Sequence, residues 1–465
     1  MGIKERLLQV EQNRTGHKDS VAERPLEPAP KGVKSQEIAK NSTFVEIKKR
    51  CQKKAADDEA FYKAESNETR QELRPRLETL VREVAHEMRY PLSELEVRQL
   101  GVELLDEIYG LGPIEPLMAD PTVSDILVNG FDQIYVERAG KLELTDITFI
   151  SEEHLRNKID RMLYLTGRRV DESSPLVDAR LPDGSRINII IPPLAVDGIC
   201  VSIRRFPDQH LRAKDMISLG TMTEQMYQFL EMSVRSGLNM IVCGGTGSGK
   251  TTTLNMLSGL IPEDERTVTI EDSAELRMQQ THVVRLETRP PNAEGVGEVT
   301  QRELLKNALR MRPDRIVLGE VRGAEVLDML QAMNTGHEGS LATLHANSPR
   351  DCIARLELMI NLSGVDIPAT SIRKQIASAI DLIIFVSRGK DGRRRVESIT
   401  EVTGVEEENV VLQELFTFES QFDEITGRVR GRFKATGIRP SSSAKFSASG
   451  LKLPASLFTF SQDVS

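Results

Sequence analysis

Gly244-Gly245-Thr246-Gly247-Ser248-Gly249-Lys250-Thr251 decides the fold of this chain. The stretch satisfies the phosphate-loop pattern G-x-x-x-x-G-K-[ST] in full. Before it runs Leu238-Asn239-Met240-Ile241-Val242-Cys243, short and apolar enough for a buried strand. After it Thr252-Thr253-Leu254-Asn255-Met256-Leu257 reads as the start of a helix. Strand, glycine loop, helix is the context such a motif needs. Glycines let backbone N–H groups turn inward around phosphate oxygens, and the helix N-terminus adds a favourable field. Gly244 to Thr252 are therefore the expected nucleoside triphosphate contacts, with Lys250 on the β- and γ-phosphates and Thr251 on Mg²⁺.

Working outward, residues 221–403 alternate apolar runs with helical patterns. The runs are 239–243, 267–270, 315–319, 340–344 and 382–386. That predicts an α/β domain around a mainly parallel sheet. Upstream, residues 71–110 carry Leu77, Leu80, Val81, Val84 and Met88 at helical spacing, which predicts a small helical region. Residues 111–206 hold short alternating segments (125–130, 133–137, 186–191) and a helix near 154–165, an α+β pattern. A linker is expected over 207–220, a strand-containing tail over 404–465, and a polar, charge-mixed segment over 1–70.

Composition narrows the function. A chain of 465 residues with 39% hydrophobic content can build two or three cores. Its net charge of −9, 4% aromatics and no Trp argue against a general nucleic-acid binder or a stacking single-strand channel. Cys51, Cys200, Cys243 and Cys352 are too scattered for a zinc ribbon and read as reduced cytosolic thiols. No stretch of the sequence is long and apolar enough for a membrane span, so contact with a membrane is expected to be peripheral.

Four further groups surround the loop. Ile270-Glu271-Asp272-Ser273-Ala274-Glu275 sets three carboxylates after a strand, where open α/β sheets place their ligand crevice. Glu275 or Glu271 could orient or deprotonate an attacking water, although a solvated acidic loop would read the same. Asp314-Arg315-Ile316-Val317-Leu318-Gly319-Glu320 is an apolar strand ending in a carboxylate, the Walker-B design, with Glu320 facing Mg²⁺ or the lytic water. His337 and His345 flank one apolar run; an imidazole there could sense a γ-phosphate. Arg180, Arg186, Arg204 and Arg205 lie before the linker, where a cation could assist phosphoryl transfer.

Together these motifs, in this order, resemble the secretion ATPase superfamily of type II secretion, type IV pilus and type IV secretion motors. The resemblance covers roughly residues 100–400. Gly167-Arg168-Arg169-Val170-Asp171-Glu172-Ser173-Ser174-Pro175, Leu309-Arg310-Met311-Arg312-Pro313-Asp314 and Gly431-Arg432-Phe433 through Pro440 look like the tight-adherence (Flp-type) pilus branch, the CpaF-like ATPases. The resemblance implies a RecA-like C-terminal domain, a PAS-like N-terminal domain that swings on the linker, and a homohexameric ring at the cytoplasmic face of the inner membrane. Its implied partners are an inner-membrane platform protein and, indirectly, pilin subunits. It also implies Mg²⁺-dependent ATP hydrolysis with Glu275 as catalytic carboxylate, Glu271 supporting, Glu320 as Walker-B acid and His345 reporting nucleotide state. Arg186, Arg204 and, more weakly, Arg180 would reach nucleotide from the N-terminal domain. A type IV secretion ATPase moving protein or DNA shares the core motifs and is the alternative.

Overall fold

Alternation along the buried strands sets the layers of the half that carries the phosphate loop. In the computed structural model, which describes residues 43–55, 70–138, 140–164, 166–205, 211–291, 295–423 and 428–464, the chain divides into two compact units.

The first unit is helical and gathers residues up to Ala119 together with Ile147–Met162. Helix α1 (residues 43–55) buries Ile47, Cys51 and Ala55, one residue per turn. It shares a core with α2 (Arg70–Glu87) and α3 (Glu94–Tyr109), where Leu77, Val81, Val84, Val97, Leu100 and Leu104 close the cluster. Ser93 starts α3 with a full capping box, its hydroxyl accepting from Glu96 N–H and the Glu96 carboxylate accepting from Ser93 N–H. The boundary expected at residue 70 therefore falls inside this helical unit, because α1 supplies part of its core; residues 1–42 and 56–69 lie outside the described residues. The short α4 (Glu115–Ala119) and most of α5 (Glu152–Tyr164) complete the unit.

The second unit holds two sheets. The first is antiparallel and six-stranded: β1 (Val123–Asn129), β2 (Ile134–Arg138), β3 (Lys141–Leu144), β4 (Leu176–Arg180), β5 (Arg186–Ile190) and β6 (Cys200–Arg204) in the order β3-β2-β1-β6-β5-β4. Its inward residues alternate cleanly, as in Ile187 and Ile189 against Val201 and Ile203. The following segment is not a bare linker: α6 (Ala213–Ser218) lies within it, while residues 206–210 are outside the described set.

After α7 (Glu224–Arg235) comes β7 (Met240–Gly244), then α8 (Lys250–Ser258), β8 (Thr267–Glu271), β9 (Val283–Glu287), α9 (Gln301–Ala308), β10 (Arg315–Val321), α10 (Glu325–Asn334), β11 (Leu341–His345), α11 (Pro349–Leu362), α12 (Ala369–Ala379) and β12 (Leu382–Arg388). The parallel core runs β12-β7-β11-β10-β8-β9. Met240 and Val242 face one apolar core with Phe229 and Leu254; Ile241 and Cys243 face the other with Leu330 and Leu356. Such two-sided burial is why these strands read as unbroken apolar runs.

The boundary expected between 403 and 404 cuts through β13 (Arg394–Glu406). β13, β14 (Asn409–Asp423), β15 (Arg428–Ala435) and β16 (Ser461–Val464) extend the same sheet antiparallel, giving ten strands in all. Between β15 and β16, α13 (Ser443–Ala448) folds back so that Phe446 and Phe458 pack on Phe229. The terminal stretch is part of the phosphate-loop domain rather than a separate tail, because its aromatic residues bury against that domain's α7.

Candidate functional site

β7 ends at Gly244 and α8 begins at Lys250, so the phosphate loop lies at the carboxyl end of the parallel strands. Gly244 has no room for a side chain: a Cβ would sit 2.2 Å from Val386 O and 2.6 Å from Ser248 Oγ. Gly247 (φ +69°) and Gly249 (φ +101°) take left-handed backbone that glycine adopts without strain. Ser248 Oγ is buried with no hydrogen-bond partner among the described residues, and Lys250 Nζ donates back to Gly245 O at 2.9 Å. A buried hydroxyl and an ammonium turned onto its own loop are groups an anion in the loop would satisfy. Burial lowers the Lys250 pKa, partly offset by the Glu320 carboxylate.

A cleft of about 1040 Å³ opens over this loop, lined by Thr246 to Thr252, Glu271 and Glu275 of the acidic segment Ile270–Glu275 (the Asp box), Glu320 and His345. His345 is the register partner of Gly244 on the neighbouring strand. Its Nε2 lies 2.8 Å from Glu320 Oε1 and 3.2 Å from Lys250 Nζ. Burial first, then Lys250, lowers its pKa against the opposing pull of Glu320, and the lowering favours the neutral ring. His337 is at the far end of β11, where its carbonyl accepts from Ser340 Oγ; the two histidines do not share a site.

The two Asp-box glutamates differ. Glu271 ends β8 and is only 3% exposed. Its Oε1 accepts from the N–H groups of Glu275 and Leu276, each at 2.9 Å, while Oε2 is buried without a partner among the described residues. Burial pushes its carboxyl up to about 7, against those two bonds. Gly319 makes room for it, since a Cβ there would meet Glu271 Cγ at 2.8 Å. Glu271 thus braces the box, and Glu275 is the more open carboxylate, 3.2 Å from Arg186 Nε.

The predicted arginines separate. Arg186 and Arg204 are register partners on β5 and β6, and both line the cleft. Arg186 donates to Ser273 O at 3.2 Å, which joins the antiparallel sheet to the Asp box. Arg204 pairs with Asp125 of β1 at 3.2 Å. Arg180 lies elsewhere: it donates to Glu287 (2.7 Å) and Ala274 O (2.8 Å) in an adjoining groove that does not include the phosphate loop. Its place on β4, one strand further out, explains the difference.

Among the cleft residues that escaped the sequence reading are Arg322, Thr343 and Arg394. Arg322 pairs with Glu320 and lies 3.4 Å from Asp272; its position two residues after Glu320, on the same face of an extended chain, was a usable signal. Thr343 Oγ1 donates to Gly319 O at 2.5 Å. Arg394 donates to Gly247 O at 2.9 Å from a strand with no recognised motif.

Residues 107–425 match the sequence model of the type II/IV secretion system protein family. A Mycobacterium tuberculosis protein named for conjugal transfer is 40% identical over 316 residues, 66% of this chain and 89% of that protein. The type IV secretion system protein PtlH of Bordetella pertussis is 33% identical over 63% of this chain and 94% of its own length. Among solved structures, the VirB11 ATPase of the Brucella suis type IV secretion system is 29% identical over 62% of this chain and 95% of that one, with a TM-score of 0.35.

Proposed function

The chain belongs to the type II/IV secretion system protein family, and we propose that within it the protein is an ATP-hydrolysing motor for a tight-adherence (Flp-type) pilus. The observation that carries the motor reading is the cleft itself: Arg186, from the antiparallel sheet, bonds the Asp box beside the phosphate loop of the parallel sheet. A nucleotide bound there would meet groups of both sheets, so its γ-phosphate could draw them together and its loss release them. Chain-specific features, Gly167 to Pro175 and Gly431 to Pro440, support the pilus branch.

Lys250 would leave Gly245 O for the β- and γ-phosphates. Glu275 would orient and deprotonate the attacking water, with Glu271 holding the Glu275 backbone in place. Arg186 and Arg204 would offset charge developing on the γ-phosphate. His345, between Glu320 and Lys250, would report whether that phosphate is present. The hydroxyl of Thr251 and the carboxylate of Glu320 are the hard oxygen donors Mg²⁺ takes, and both line the cleft. Bound there, Mg²⁺ would neutralise phosphate charge in the transition state.

The motor would work as a homohexamer at the cytoplasmic face of the inner membrane, driving a platform protein, with the antiparallel-sheet domain moving on segment 207–220. No helix among the described residues is long and apolar enough to cross a membrane, which is compatible with attachment through partners. Gene deletion, with complementation by wild type and by Lys250→Ala, tests the proposal by counting surface pili. Pili should be lost and restored only by wild type; normal pili in the deletion and Lys250→Ala strains would overturn it. A second reading, a type IV secretion ATPase for protein or DNA transfer, is favoured by the 40% identity to a protein named for conjugal transfer. Loss of transfer with pili intact would select it.

A further inference from the structure

The turn between β12 and β13 is a rigid basic hairpin beside the phosphate loop. β12 is the parallel neighbour of β7, with Val386 opposite Gly244, so the chain leaves the sheet next to the loop. Gly389 N–H donates to Arg393 O at 2.8 Å and Gly392 N–H to Gly389 O at 2.9 Å. Asp391 accepts from both Nη atoms of Arg395 at 3.0 and 2.6 Å, and the Arg395 guanidinium lies 5.2 Å from the Phe418 ring centroid. With Arg395 turned inward, strand alternation turns Arg394 the other way, into the cleft. On its other side the hairpin is anchored by Arg388, which donates to Gly140 O at 3.2 Å in the β2–β3 turn.

Arg394 meets the loop at its two left-handed glycines. Its Nε donates to Gly247 O at 2.9 Å, and its Cδ lies 3.3 Å from where a Cβ on Gly249 would stand. Glycine crosses between backbone regions at little cost, so the Gly247–Ser248 peptide could turn its carbonyl toward the phosphate position. A carbonyl there would repel the phosphate and remove an inward N–H. We propose that Arg394 is a positioning residue for nucleotide binding: it holds the Gly247 carbonyl away from the phosphate position, so that the loop is set before nucleotide arrives. The inference rests on the phosphate loop being a nucleotide site.

The test is titration of the full chain with a fluorescent ATP analogue and Mg²⁺, alongside steady-state hydrolysis, for wild type, Arg394→Ala and Arg394→Lys. Loss of one charge-assisted hydrogen bond should weaken the Kd and raise the KM of Arg394→Ala about tenfold, with kcat falling less than about threefold. Lysine, whose ammonium reaches the same carbonyl, should recover most of that loss. Without nucleotide, the thermal midpoints should agree within about 2 °C. Wild-type affinity in Arg394→Ala would overturn the inference. So would an equal loss in both variants with a lowered midpoint, since that marks a structural role. A wild-type chain that fails to bind the analogue would overturn the nucleotide reading and this inference with it.

Discussion

Glu271→Gln should make the protein more stable at neutral and alkaline pH, and only there. In the fold the Glu271 carboxyl titrates at about 7 rather than at its ordinary 4.5, because burial disfavours the charged form. Below 4.5 the folded and unfolded chains both hold the proton, and the site is indifferent to pH. Between 4.5 and 7 the unfolded chain has lost it while the folded chain keeps it, so stability falls by about 1.4 kcal/mol per pH unit. Above 7 both are ionised and the loss is complete, at about 3 kcal/mol. Glutamine cannot ionise, yet its Oε1 can still accept from Glu275 and Leu276 N–H. The assay is the thermal midpoint of both proteins from pH 4.5 to 8.5 without nucleotide. The midpoints should nearly coincide at the acid end and separate by about 5–8 °C at the alkaline end, the variant higher. A gap that stays constant with pH, or a wild type more stable than the variant at pH 8, would refute the argument that Glu271 is a desolvated brace.

Two other substitutions probe the same domain. Glu320→Gln should lower kcat about 100-fold while nucleotide affinity changes by less than about fivefold, because the role proposed for its carboxylate lies in hydrolysis more than in binding; undiminished turnover would remove Glu320 from the Walker-B role. Asp391→Ala strips the counter-charge from Arg395, whose side chain is 2% exposed, and should cost about 3 kcal/mol. A thermal midpoint within error of wild type would show that the hairpin does not depend on that pair.

Legibility in the sequence followed burial. β7, β8, β10, β11 and β12 are covered on both faces and announced themselves as apolar runs. β3, whose residues are all exposed, and the half-exposed β9 left no such pattern. The domain end at 403 was misplaced for a related reason. The burial of β13 fades after Val402, and only its pairing with β14 carries the strand on to Glu406 in the same sheet.

The sequence by itself determined the phosphate loop, the Asp box and the Walker-B strand, because each is local: glycine torsions, strand ends and carboxylate positions a few residues apart. It also carried the motifs by which the family is recognised. Tertiary structure alone decided which groups share the cleft. Arg186 and Arg180 are alike in composition and spacing, and neighbouring strands send one to Glu275 and the other to Glu287. Arg394 reaches Gly247 across 147 positions of chain. Contacts of that length are set by strand order and register, and no short pattern encodes them.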